Sequence, residues 1–237
     1  MARPPGAGQR AFIDLHCHTD ASFDCLSRPA DVVHAAATRG LTHLVVTDHE
    51  RIDGARRVRD IAPDGLTVII GQEIRTADGD LTAAFLETAV DPGMPAVDTI
   101  DAIRAQGGLV GMPHPFDRYR GSLLRDTRMA ALAPLVDWVE VHNARVIGGG
   151  NERAADFARA HERPGVAVSD AHTIIEIGVA YTALDGDPST PAGLLAALPT
   201  AELVAGRASF TVRLWTPFAK GVQRARGNGR IRPGLGA

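Results

Sequence analysis

Lysine is all but missing from this chain: Arg supplies 24 of its 25 basic residues, and Lys220 stands alone. That skew reads as coding bias and carries no function. Net charge is scarce too, -3 from 25 basic and 28 acidic side chains, which excludes a whole-chain basic field for nucleic acid. Only two cysteines are present, Cys17 and Cys25. A disulfide scaffold is therefore excluded, and a reducing, cytoplasmic setting is expected. No apolar run approaches the ~20 residues of a membrane-spanning helix. The Pro/Gly-rich residues 1–10 hold no apolar stretch for a signal peptide and are expected to be flexible. What is present suffices for a core: 45% of the 237 residues are hydrophobic, and 25 more are Gly. Intrinsic disorder is excluded on that composition, and one large domain is favoured.

Short apolar runs alternate with amphipathic stretches. AFIDLHCH, LTHLVVTDH, LTVIIGQEI, LVGMPHP, LVDWVEVHN and GVAVSDAH read as strands, and DLTAAFLE as a short antiparallel one. Helices are expected over PADVVHAAATRG, with Pro29 in its first turn and Gly40 as its stop, and over RIDGARRVRDIA, PAVDTIDAIRAQGG, NERAADFARAHER and TPAGLLAAL. VAYTALD is a further candidate strand. This alternation implies an α/β fold with right-handed crossovers and a mainly parallel sheet. Nearly every strand ends in His, Asp or Glu, which favours a barrel over an open sheet. A barrel makes all strand C-termini converge on one face, whereas an open sheet spreads them along a line too long for one site. The barrel is expected over 11–202. Residues 203–237 form a basic C-terminal segment with no Asp or Glu. That segment reads as a solvated end or a final helix lying across the barrel, in preference to a nucleic-acid arm.

Six of the nine histidines lie at expected strand ends: His16, His18, His49, His114, His142 and His172. His16 and His18 alternate along a strand and so share a face. Asp24, Glu73 and Asp170 lie at or just beyond strand ends with them. Nine such side chains exceed the needs of one acid–base pair. Imidazole with carboxylate suits Zn, Mn, Fe or Co, and the lack of thiolate clusters argues against a structural zinc finger. The set matches two or three ions with a bridging carboxylate. Asp48 is a candidate to accept the free N–H of a ligating His and fix its tautomer, and Glu140 and Asn143 are further candidates. His34, His43 and His161 are expected to have no role.

His16-Cys17-His18-Thr19 with Asp24, Thr47-Asp48-His49, Gly71-Gln72-Glu73, Pro113-His114-Pro115 and Ser169-Asp170-Ala171-His172 together resemble the motifs of the PHP (polymerase and histidinol phosphatase) superfamily, from about residue 11 to 185. The resemblance implies a distorted (β/α)7 barrel with a trinuclear metal site at the strand C-terminal face. It implies His16, His18, Glu73 and Asp170 on a first divalent ion. Glu73, His114 and His142 would hold a second, and Asp24, His49 and His172 a third, with Zn, Mn or Fe as the metals. Asp170, His172 and Glu73 are the expected catalytic residues.

The expected activity is hydrolysis of a phosphoester by a metal-activated hydroxide. The substrate would be a small phosphate ester, a nucleotide or an oligonucleotide end, with no membrane and no obligatory protein partner. Arg145, following the strand of His142, could clamp a phosphate bidentately, and Arg118 and Arg120 flank Tyr119 in the loop after His114. Two other readings remain: a metal-dependent amidohydrolase, and a non-catalytic metal-binding module.

Overall fold

The computed structural model describes residues 10–117 and 126–231. Arg118, Tyr119 and Arg120 fall outside the described residues, as do residues 1–9 of the expected flexible start. Arg10 already belongs to the first strand.

Among the described residues, nine strands form one sheet in the order β7-β6-β5-β4-β3-β2-β1-β8-β9. They are β1 (Arg10–Cys17), β2 (His43–Val46), β3 (Thr67–Arg75), β4 (Asp80–Ala84), β5 (Leu109–Met112), β6 (Trp138–Asn143), β7 (Gly165–Val168), β8 (Tyr181–Asp185) and β9 (Glu202–Val204). Between and after them run α1 (Pro29–Thr38), α2 (Asp53–Asp60), α3 (Ala96–Arg104), α4 (Asp126–Leu132), α5 (Gly150–Ala160), α6 (Pro191–Ala197) and α7 (Val212–Ala225). Local chemistry sets their ends. Pro29 opens α1, and Gly40 follows its end at φ 74°. The Thr190 side chain accepts from the Gly193 amide to cap α6.

β1, β2 and β3 pair in parallel, as do β5, β6 and β7. β4 lies between the two groups and is antiparallel to both neighbours, which is one source of the distortion. The other is at the closure. The N-terminal half of β1 pairs antiparallel with β8. Its C-terminal end instead meets the chain after β7, where Asp170 N–H donates to the His16 carbonyl (2.8 Å) and His18 N–H to that of Ala171 (2.9 Å). β8 thus wedges the barrel open at one end, and the metal-ligand end closes. At the fork the buried Asp14 carboxylate accepts from the amides of Ser169 (3.0 Å) and Gly178 (3.2 Å), replacing the missing strand partner. Burial pushes its pKa up to about 6 against these hydrogen bonds.

Two apolar clusters divide the sheet's faces. Ile13, Leu15, Val45, Ile69, Leu109, Trp138, Val166 and Val168 fill the barrel, and the larger cluster packs helices on its outside. Strand alternation then assigns sides. Thr47, Glu73 and Asp170 keep step with the interior residues Val45, Ile69 and Val168. In β1 the register shifts between Asp14 and Cys17. Cys17 joins the outer cluster, so His16 and His18 turn inward beyond Leu15.

β9 spans the expected boundary at 202/203 and ties the C-terminal segment to the sheet through β8. Beyond it, Phe210, Trp215 and Phe218 stand exposed among the cations, so the segment is less bland than its charge implies. No helix among the described residues is long and apolar enough to cross a membrane.

Candidate metal centre

His16 Nε2 and His18 Nε2 lie 3.1 Å apart, both fully buried. Glu73 Oε2 is 3.3 and 3.4 Å from the two nitrogens, and Asp170 Oδ1 is 3.7 and 3.6 Å from them. The other ring nitrogens are already committed. His16 Nδ1 meets Glu140 Oε1 at 2.6 Å. His18 Nδ1 meets Ser22 Oγ at 3.1 Å, and that hydroxyl donates to Asp48 Oδ1 (2.9 Å) while accepting from the His49 amide (3.0 Å). Ser22 therefore accepts the His18 Nδ1 proton, leaving His18 Nε2 a lone pair. Glu140 likewise draws the proton of His16 to Nδ1. With neutral imidazoles and ionised carboxyl groups, the four side chains would aim only lone pairs at one another. The arrangement calls for positive charge at its centre, as a proton or as a metal ion. In the metal-free protein burial works to lower His16, but Glu140, Asp170 and Glu73 together hold it well above its ordinary pKa. His18, pushed down by burial and by His172, stays neutral.

A second group adjoins the first through His18. His49 Nε2 and His172 Nε2 each lie 3.5 Å from Asp24 Oδ2, and His49 Nδ1 is 3.3 Å from Glu73 Oε2. His172 Nδ1 meets the Asp170 carbonyl at 2.9 Å, so its Nε2 too carries a lone pair. Ligand atoms of His18, His49 and His172 gather within 4.8 Å, as do those of His16, His18 and Asp170. Burial works to lower His49, yet Glu73 and Asp24 lift it to about 9. Burial works to raise Asp24, yet His49 and His172 hold it well below the carboxylate range. Glu73, also raised by burial, is held well below by His49, His16 and His114. The buried Asp24 Oδ1 accepts no hydrogen bond among the described residues. An oxygen with spare lone pairs beside two imidazole nitrogens fits a divalent ion. The residues present therefore fit metal at both groups.

The expected donors for another ion are gathered only in part. His114 Nε2 lies 3.2 Å from Glu73 Oε1, and the His114 backbone takes a positive φ of 28°. His142 is not brought to them. β6 bulges between Glu140 and His142, which pair with Val166 and Ala167 in turn. Val166 points inward, so the extra residue sets His142 on the outer side and Asn143 on the inner. His142 Nε2 instead meets the Gly206 carbonyl at 2.7 Å. The sequence gives no warning of the bulge.

Supporting residues also differ from expectation. Among the described residues Asp48 has no hydrogen bond to an imidazole. It accepts from Thr19 N (2.6 Å) and Thr19 Oγ1 (2.7 Å) and acts on His18 through Ser22. Gly54 makes room for it, since a Cβ there would fall 1.9 Å from Asp48 Oδ2. Asn143 Nδ2 bridges Glu140 Oε2 (3.0 Å) and Asp170 Oδ2 (2.9 Å). Arg145 is only 6% exposed. Its Nε is 3.5 Å from Glu176 Oε1 and its Nη2 donates to Thr216 Oγ1 (2.7 Å). Glu176 accepts in turn from the His172 amide (3.1 Å). Sequence reasoning missed Ser22 and Glu176, and also Gln223 on α7, whose amide nitrogen reaches the carbonyls of Asp20 (2.7 Å), Ser22 (3.1 Å) and Cys25 (2.6 Å) around Asp24. Their signal is purely spatial. His34, His43 and His161 lie on α1, at the start of β2 and at the end of α5.

The PHP domain family profile matches residues 14–132, half of the chain, and the PHP-associated profile matches 148–202. The chain belongs to the PHP family. An uncharacterized protein of Methanocaldococcus jannaschii is 32% identical over 114 residues, which are 44% of this PHP chain and 67% of that one. A 5'-3' exoribonuclease of Haemophilus influenzae is 41% identical over 64 residues, 27% of this chain and 23% of the relative. Among solved structures, a two-domain protein from Bacteroides vulgatus containing a predicted PHP-like metal-dependent phosphoesterase superposes with a TM-score of 0.70 at 19% identity, over 87% of this chain and 68% of that one. Endonuclease Q bound to a duplex with an abasic lesion superposes with a TM-score of 0.62 at 16% identity, over 81% of this chain and 57% of that one. Likeness at these identities establishes the shared distorted barrel. Family membership and the donor set together support a metal-dependent hydrolase.

Proposed function

We propose that this PHP protein hydrolyses a phosphoester: a small phosphate ester, a nucleotide or an oligonucleotide end. The observation that carries the reading is the convergence of His16 Nε2, His18 Nε2, Glu73 Oε2 and Asp170 Oδ1 with both imidazole Nδ1 protons drawn elsewhere. Divalent ions bound there supply activation of water near neutral pH and offset charge on phosphoryl oxygens. The chain's own part is orientation. Glu140 holds the His16 proton at Nδ1, Ser22 that of His18, and the Asp170 carbonyl that of His172. Glu73 reaches both groups and ties them together. Three ions, of Zn, Mn or Fe, are proposed for the centre. Asp170, His172 and Glu73 are proposed to face the reacting phosphate. Arg145, clasped by Glu176, is proposed to steady the His172 loop, and Arg118 and Arg120 to contact substrate. The C-terminal segment 203–237 is proposed to wall the barrel of 11–202 at its mouth.

The test is turnover of p-nitrophenyl phosphate and bis-p-nitrophenyl phosphate by metal-loaded protein, with ammonia release from amides run alongside. Hydrolysis that a chelator abolishes and Mn, Zn or Fe restores is expected, and His16→Ala and Asp170→Ala should lose both metal and turnover. Ammonia release without nitrophenol release would overturn the reading.

A further inference from the structure

The Phe23 ring lies 4.9 Å from that of His49, at the edge of the group formed by Asp24, His49 and His172. Two cations from the C-terminal segment are held over it. Lys220 Nζ is 5.4 Å from the ring centroid and Arg230 Cζ 5.1 Å. Both side chains are exposed, and neither has an ion-pair partner among the described residues. The other arginines of this rim are occupied: Arg57 with Asp20, Arg51 with Asp53 and Asn228, and Arg145 with Glu176. Nearby carboxylates are spoken for as well. Asp24 and Glu73 face imidazoles, and Glu50, which accepts from the Arg75 amide, feels the Arg230 charge without forming an ion pair with it. The two cations are also held in place. Gln223, between them in sequence, and Asn228 bond the carbonyls of the loop that carries Phe23 and Asp24. Two exposed cations fixed beside the candidate metal centre raise the local positive potential and favour an incoming anion.

We propose that Lys220 and Arg230 on the Phe23 ring form a subsite for a second phosphate of the substrate, the one next along a nucleotide chain from the phosphate under attack. The inference rests on the phosphoester reading above. Arg230 offers a planar fork of donors and Lys220 a compact charge, so together they grip a phosphate that the metal centre does not touch.

The experiment compares the p-nitrophenyl ester of thymidine 5'-phosphate with that of the dinucleotide pTpT, on metal-loaded wild type and on the double variant Lys220→Ala/Arg230→Ala. Wild type is expected to favour the dinucleotide ester by about tenfold or more in kcat/KM, the scale of one charge-assisted hydrogen bond. The preference should weaken with added salt and fall to near unity in the double variant. A preference kept by the variant, or none in wild type, overturns the subsite. If wild type cleaves neither these esters nor p-nitrophenyl phosphate and its bis ester, the phosphoester reading fails by itself. Calorimetric binding of pT and pTpT then decides the subsite: tighter pTpT binding that the variant loses supports it, and equal binding overturns it.

Discussion

Glu140→Gln tests whether the centre is built for a cation rather than packed as a buried polar network. Glu140 Oε1 meets His16 Nδ1 at 2.6 Å, while Oε2 accepts from the His114 amide and from Asn143 Nδ2, each at 3.0 Å. Glutamine has one acceptor oxygen and one NH2. With its oxygen toward His16, the NH2 faces two donors. With the NH2 toward His16, the imidazole proton moves to Nε2 and removes the lone pair a metal needs. Loss of such an outer hydrogen bond costs ~10–100-fold in metal affinity, or about 1.4–2.7 kcal/mol. Glu140 is also the leading carboxylate that raises the pKa of His16 against burial. The sign follows: a proton held on His16 competes with metal, so wild-type affinity climbs as pH rises. The variant, holding that proton less, should show a shallower climb. Metal titration by calorimetry at pH 6, 7 and 8, with circular dichroism to check folding, reads both effects. A folded variant that binds metal as tightly as wild type, with the same pH slope, would refute the tautomer argument.

Gly54→Ala would place a methyl 1.9 Å from Asp48 Oδ2 and 2.3 Å from Thr19 Oγ1. It should destabilise by about 1–3 kcal/mol in urea unfolding and weaken metal binding with it, whereas the exposed Gly229→Ala, with open space around it, should do neither. Gln223→Ala takes one donor from the carbonyls of Asp20 and Ser22, which keep Asn228, and removes the side-chain donor to the Cys25 carbonyl. Metal titrations should show one binding step weakened and the His16–His18–Asp170 step retained; equal loss of every step would contradict the assignment of Gln223 to the Asp24 loop. Burial lowers the His43 pKa, outweighing Asp187. A His with a folded pKa below its unfolded value of ~6.5 contributes stability above that value and loses it as pH falls toward the folded value. His43→Gln should thus lose less Tm than wild type between pH 7 and 5, and parallel Tm curves would show that His43 is not responsible.

Alternation along the chain determined most of the architecture, because strands and helices bury their faces at fixed periods. The order of apolar runs, the antiparallel character of the Asp80–Ala84 strand and the gathering of His16, His18, Asp24, Glu73, His49, Asp170 and His172 at one end of the barrel all follow from it. Periodicity is silent about register. One extra residue in β6 exchanges His142 for Asn143 on the inner face, and a shift in β1 turns His16 and His18 inward; both depend on which neighbouring strand is paired where. Contacts across long sequence separations were equally invisible. Ser22 on His18 and Gln223 on the Asp24 loop are ordinary polar residues until the chain folds, and Glu140, already a candidate for such a role, acquires His16 as its partner only in the fold. Which residues can bind metal was therefore written in their chemistry and spacing. Which of them face one another, and with which protons, was decided by strand register, barrel closure and the return of the C-terminal helix to the mouth.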